Sequence, residues 1–340
     1  MERQPVHFMT NLVTPGLEAA RAALAPVVGA RTDDLVLVEN ATAGVNSVLR
    51  ALDFAPGDEI LVTALGYPAV NNAARYVARR SGARVVTVEI PLPIADAAAI
   101  RNAVAAALTP RTRLAILDHV TSATACVLPI AALVADCHAA GVRVLVDGAH
   151  APGMLAVALD ALDADWYTGN CHKWLFAPKG TAFLHARRDR QDGLHPLVIS
   201  HGLDNGLHDQ FDWPGTRDFC AWMALPDAIA FHQGHDSNAL RRHNCDLVAA
   251  MATDLIAAWD TAPAVDASLR GSMATVRLPL PGTTPAHAKA VHDRLIGEFR
   301  VEVPVVALQG ALWCRISAQI YNEPADYQRL ADAVLAIARG

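Results

Sequence analysis

Apolar residues follow two alternating rhythms along this chain. Short unbroken apolar runs at Leu35–Glu39, Glu59–Ala64, Arg84–Glu89, Arg113–His119 and Arg143–Asp147 have the character of strands covered on both faces. Asp165–Thr168 and Thr181–His185 continue the series. Between them, Leu17–Val28, Ala43–Leu52, Ala69–Ser81, Asp96–Leu108 and Ile130–Ala140 carry apolar positions at helical spacing. Pro and Gly stand at the joints, as in Ala55-Pro56-Gly57-Asp58 and Ala140-Gly141. Strands alternating with helices predict an α/β domain on a mostly parallel sheet.

The rhythm changes near residue 236. A helix at Phe219–Phe231 precedes the change, and a long one at Leu240–Trp259 follows it. A strand pair, Met273–Leu278 with Trp313–Ser317, then flanks a helix at Pro285–Phe299, and Pro324–Ala338 reads as a final helix. The chain therefore divides into a large α/β domain, 1–235, and a small C-terminal α+β domain, 236–340.

Composition narrows the function classes. With 53% hydrophobic and 18% charged residues, 340 residues suffice for two cores and show no disordered tract. A net charge of −6 argues against nucleic-acid binding through a basic face. No apolar run is long enough for a membrane span, and the start, MERQPVHFMTNLVTP, lacks the apolar region of a signal peptide. Six cysteines without CxxC pairs or zinc spacing suit reduced thiols in a cytoplasmic protein. His195, His201 and His208 fit no zinc signature either, so no metal is expected. No GxGxxG follows the first strand, which disfavours a nicotinamide enzyme.

Three local patterns carry candidate chemistry. Asp147 ends the apolar strand Val142-Arg143-Val144-Leu145-Val146-Asp147, where ligands of open α/β sheets collect. Lys173 follows the Asp165–Thr168 strand in Gly169-Asn170-Cys171-His172-Lys173-Trp174. Taken singly, the Asp reads as a helix cap and the Lys as a solvated charge. Together they are the pair a pyridoxal-phosphate (PLP) enzyme needs: a lysine to form the imine and a carboxylate to keep the ring nitrogen protonated. Finally, Glu39-Asn40-Ala41-Thr42-Ala43-Gly44-Val45-Asn46 leaves a strand and opens a helix, either as a plain turn or as a cup for a phosphate dianion.

The segment from Asp165 to Leu184, with Gly169-Asn170-Cys171-His172-Lys173-Trp174 and Ala177-Pro178-Lys179-Gly180, resembles the cofactor-lysine signature of class V aminotransferases. That family belongs to the fold-type I PLP superfamily, and within it these motifs resemble the isopenicillin N epimerase-like branch, which also contains C–S lyases. The resemblance runs over nearly the whole chain. It implies a fold-type I architecture, PLP as cofactor and a small amino acid as substrate. Asp147-Gly148-Ala149-His150 matches the family's Asp-x-Ala-His, which pairs Asp147 with the ring nitrogen and sets His150 close to the ring. Thr42, Ala43, Asn170 and His172 match phosphate contacts. Trp213-Pro214-Gly215-Thr216-Arg217-Asp218 resembles a Gly-Thr-Arg-Asp segment whose Gly-Thr portion reaches the neighbouring subunit's phosphate, which implies a homodimer with shared sites. Cys314-Arg315-Ile316-Ser317 resembles the motif whose Arg forks the substrate carboxylate. Ser122, in Asp118-His119-Val120-Thr121-Ser122, falls where many relatives place an Asn over the cofactor's phenolic oxygen.

The chain also departs from the family pattern. Leu65 stands where relatives often have a ring-stacking His, and Tyr67 matches a tyrosine that the C–S lyases use near substrate. Tyr67 is the residue at hand to act opposite Lys173. The stretch from Phe299 to Gly310, which matches the loop of the persulfide-forming Cys in cysteine desulfurases, has no Cys. The N-terminal arm is expected to be short relative to the family. The expected activity is epimerisation or C–S lysis. An aminotransferase and a catalytically silent PLP-binding homologue stand as alternatives.

Overall fold

The apolar runs assemble into one seven-stranded sheet in the computed structural model, which describes residues 1–339. Its strands are β1 (Leu35–Val38), β2 (Glu59–Thr63), β3 (Arg84–Val88), β4 (Thr112–Asp118), β5 (Arg143–Asp147), β6 (Trp166–Asn170) and β7 (Ala182–Ala186). They lie in the order β1-β7-β6-β5-β4-β2-β3. β7 runs antiparallel to both neighbours, and the other pairings are parallel. Every residue of β1, β2, β6 and β7 is buried, as strands covered by helices on both faces must be. β3, at the sheet edge, is largely half-buried or exposed.

The chain resolves into two compact units. One comprises Met1–Val88, Val104–Val120 and Pro129–Ser237; the other comprises Glu89–Ala103, Thr121–Leu128 and the described residues from Asn238 onward. Two segments that the sequence assigns to the large domain, one of them containing Ser122, thus belong to the second unit.

That second unit holds a three-stranded antiparallel sheet in the order β8-β10-β9, with β8 at Met273–Arg277, β9 at Val305–Leu308 and β10 at Ala311–Ser317. Helices Ser237–Trp259, Pro285–Phe299 and Pro324–Arg339 supply its core, with Val248, Leu255, Leu295 and Val334 packed on Leu312, Cys314 and Ile316. β9 is absent from the sequence reading: four residues carry too little periodicity to separate a strand from a loop. Its turn to β10, Gln309 (φ 45°) and Gly310 (φ 80°), has the paired positive φ of a tight hairpin.

Two helices differ from expectation. The first unit opens with continuous helix from Pro5 to Val28 rather than from Leu17, and Phe8–Leu12 within it adopt π-helical pairing. Pro15 follows closely and lacks the N–H a regular turn would use there. The helix expected at Phe219–Phe231 is broken into Cys220–Met223 and Leu225–Gly234, with Pro226 in the first turn of the second piece.

Candidate active site

Asp118, Asp147 and Asn170 end three neighbouring strands, β4, β5 and β6, at the carboxyl edge of the large sheet. Lys173 lies one residue turn beyond, in the short helix Cys171–Trp174. That turn is tied down by the Thr181 carbonyl, which accepts from the Cys171 and His172 amides at 3.0 and 3.1 Å. Gly153 (φ 86°) lets the next loop pass beneath it, since a Cβ there would stand 2.5 Å from the Trp174 carbonyl oxygen.

Lys173 Nζ stands 3.1 Å from His150 Nε2, and Trp174 Nε1 donates to His150 Nδ1 at 3.4 Å. His150 is buried, while Lys173 is exposed. Asp147 is 4% exposed, and its Oδ1 accepts the Ala149 N–H at 3.0 Å. Burial raises its proton affinity, and the Ala149 amide and the Lys173 charge act in the opposite sense. A cationic ring nitrogen is the kind of partner that would hold such a carboxyl ionised, so the residue fits the expected cofactor.

Gly148 is required here because Tyr167 packs under the strand end: a Cβ would fall 2.1 Å from its hydroxyl oxygen. Tyr167 stacks on Phe183 (centroids 6.2 Å apart), and its hydroxyl meets His119 Nδ1 at 2.9 Å. Burial drives His119 down to about 4, so it is a neutral partner.

The expected phosphate cup is the N-terminus of helix Ala41–Ala51. Asn40 Oδ1 caps the Ala43 amide at 2.9 Å, and Asn170 Oδ1 accepts the Ala41 amide at 2.8 Å. Ala43 therefore enters the cup with its N–H already engaged, and Asn170 faces it as an acceptor. Both are ready for an anion only after these side chains give way, and the sequence contained no sign of that. Gly44 lets the helix lie against β6, because a Cβ would sit 2.4 Å from Thr168 Oγ1. His172 Nδ1 meets the Thr181 carbonyl at 2.8 Å, which fixes the proton on Nδ1 and leaves Nε2 as the other face of the ring. Burial lowers its basicity.

Leu65 is 7% exposed, whereas Tyr67, at the start of helix Pro68–Ser81, is 44% exposed. Gly215 (φ 117°) and Thr216 sit in a turn whose Arg217 pairs with Glu39, directly before the cup, and lies 4.4 Å over the Trp222 ring. In the second unit, Arg315 Nη1 donates to the Ser122 carbonyl and, at 3.3 Å, to its Oγ. Ser122 thus serves the arginine. Arg315 Nε is buried with no partner among the described residues, and the side chain lines a recess of about 370 Å³ with Arg300, Glu302, Tyr321 and Asn322.

The family profile described as Aminotransferase class-V matches residues 2–330. The chain belongs to that family. Among its relatives in the class-V aminotransferase family, a putative L-cysteine desulfhydrase 1 from Oryza sativa subsp. japonica is 36% identical, covering 97% of this chain and 76% of the relative. An isopenicillin N epimerase from Amycolatopsis lactamdurans is 34% identical, covering 98% and 88%. Among solved structures, the cystine C–S lyase C-DES matches with a TM-score of 0.80 at 23% identity, covering 95% of this chain and 86% of that one. An apo cysteine desulfurase from Thermococcus onnurineus NA1 matches at 0.80 and 19%, covering 99% and 87%. The architecture is thus the α/β fold of those enzymes, a mostly parallel seven-stranded sheet with a smaller second unit.

One acid in the class-V site escaped the sequence reading. Asp118 is 6% exposed and faces Asp147 in the strand register. The available signal was a second apolar strand ending in Asp, but only strand pairing shows that the two ends coincide.

Proposed function

We propose that this chain is a PLP-dependent enzyme acting at Cα and Cβ of a small amino acid, by epimerisation or C–S lysis. The observation that carries the reading is Lys173 beside His150 at the sheet edge where the buried Asp147 ends β5. Bound PLP supplies an electron sink that lets a proton leave the substrate Cα. Asp147 would hold the ring nitrogen, and Thr42, Ala43, Asn170 and His172 would surround the phosphate. Lys173 would anchor the cofactor and would be the base for the Cα proton, with His150 as its hydrogen-bond partner. Arg315 and its unmatched Nε suit a substrate carboxylate. Gly215 and Thr216 complete a partner's phosphate site in a homodimer. Six cysteines outside any disulfide fit a reducing, cytoplasmic setting.

A persulfide-forming desulfurase is disfavoured by the thiols themselves. No Cys lies between Phe299 and Gly310, where β9 occupies part of the stretch. Cys314 is fully buried, and burial pushes its thiol up to about 12, far from a reactive thiolate.

The test is an absorbance spectrum of the purified protein with PLP beside Lys173→Ala. A visible band in the parent that is lost in the variant is expected. Cysteine and a chiral amino-acid panel then separate the routes: sulfide and pyruvate mark C–S lysis, a racemised product marks epimerisation, and cofactor released in its amine form marks transamination. A parent that binds PLP without turning over any amino acid would identify a silent homologue. No band even with added PLP would sink the reading.

A further inference from the structure

None of the roles above involves Asp118, yet the fold constrains it closely. It is the direct register partner of Asp147 on the neighbouring parallel strand, so both side chains leave the same face of the sheet. The backbone fixes their spacing, because the His119 amide donates to the Asp147 carbonyl at 2.8 Å. Two carboxyls, 6% and 4% exposed, therefore stand side by side in a medium of low polarity. Like charges so placed do not both ionise; such a pair keeps one proton between them.

The surrounding groups indicate which acid keeps it. Asp147 has the Ala149 amide as a donor. Burial and the charge of Asp147 both raise Asp118 well above the ordinary carboxyl range, against the Tyr67 amide and the Lys173 charge. His119 is neutral and turned to Tyr167, whose own ionisation is suppressed by burial and by Asp147, and His150 is turned to Lys173.

Asp118 also reaches outward. The Tyr67 backbone N–H donates to its carboxyl. Tyr67 precedes helix Pro68–Ser81 and offers no side-chain cap of its own. An acid at the end of β4 thus secures the turn that presents Tyr67.

We propose that Asp118 is a positioning residue of the cofactor site, holding the single proton of the Asp118–Asp147 pair and accepting the Tyr67 amide. One negative charge then faces the ring nitrogen, and Tyr67 is held in place. This rests on the PLP reading above. Asp118→Asn preserves a neutral side chain with both an acceptor and a donor. Asp118→Ala removes both.

Two measurements decide it. Infrared spectra of the protein without PLP at neutral pH should show a protonated-carboxyl stretch that is absent in Asp118→Asn. PLP titrations should give an Asp118→Asn affinity within about twofold of the parent and an Asp118→Ala affinity about tenfold weaker. Asp118→Ser substitutes if the Ala variant does not fold. A parent without the carboxyl stretch, a stretch that persists in Asp118→Asn, or an Ala or Ser variant that binds PLP as the parent does would each overturn the proposal. A parent that binds no PLP sinks the cofactor reading instead, and the infrared comparison still decides where the proton resides.

Discussion

His150 Nε2 lies 3.1 Å from Lys173 Nζ, while its other nitrogen accepts the Trp174 indole N–H at 3.4 Å. An indole N–H only donates, so Nδ1 is unprotonated in that contact and the neutral ring carries its proton on Nε2. His150 then donates toward the Lys173 amine.

Trp174→Phe removes the donor and keeps most of the packing. A hydrogen bond of this length contributes about 0.5–1.5 kcal/mol, so kcat should fall about 2–10-fold with the melting temperature little changed. His150→Phe should cost more in kcat than Trp174→Phe. Steady-state rates beside thermal melts check both, and equal, large losses of stability would remove the tautomer argument.

His172 should make PLP binding depend on pH. Its Nδ1 proton is engaged by Thr181, so Nε2 can donate to a phosphate only when the ring is charged. Burial lowers its basicity before binding, and an adjacent dianion raises it again. A group whose pKa rises on binding strengthens affinity at low pH and loses that contribution as pH rises through the bound value. PLP binding should therefore take up protons, tightening as pH falls toward the ordinary His range near 6.5. Calorimetry in buffers of different ionisation heat measures the uptake. His172→Gln should reduce it, and an unchanged uptake would show that the phosphate alone carries it.

Arg315→Lys keeps the charge but loses the planar fork. KM for the amino-acid substrate should rise about 10–100-fold, the loss of about 1.5–3 kcal/mol from a charge-assisted pair. Ser122→Ala should change KM less, because the Ser122 carbonyl that also holds Arg315 is unaffected. Initial-rate kinetics on both variants test this; an Arg315→Lys enzyme with unaltered KM would place the carboxylate elsewhere.

Glu59 should govern stability far from the chemistry. It is fully buried and accepts from Arg84, Arg111 and Thr109. Burial alone would raise its pKa, but Arg84, Thr109 and Arg111 outweigh that and hold it at about 2. Because the folded value lies below the ordinary 4.5, the stabilisation is present above pH 4.5 and is lost as pH falls through about 2. Glu59→Gln should destabilise by about 2 kcal/mol at neutral pH, a figure kept low because both arginines are about half exposed. Urea melts should show the gap between parent and variant closing in acid.

Local sequence made much of the large sheet legible. Apolar runs bounded by Pro and Gly marked its strands to within a residue or two, since a strand buried on both faces leaves its signature in consecutive positions. Lys173 and Asp147 stood out as candidates for a related reason: each has its motif and strand end within a few residues. The continuous helix from Pro5 was hidden by Pro15 and Gly16, which read as a stop until π-helical pairing accommodates them. β9 was hidden because its partner, β10, supplies the pairing that makes four residues a strand.

The sequence by itself determined the alternation of strands and helices, and it marked Lys173 and Asp147 as candidates, because strand, helix and motif are each written in neighbouring residues. Only the tertiary structure decided that Asp118 stands beside Asp147, that Ser122 belongs to Arg315, and that Asn40 and Asn170 hold the amides of the Ala41 helix. Those are contacts between residues distant in sequence or turned toward one another by the fold. Strand register and burial choose among the many acids, serines and asparagines that local pattern leaves equivalent.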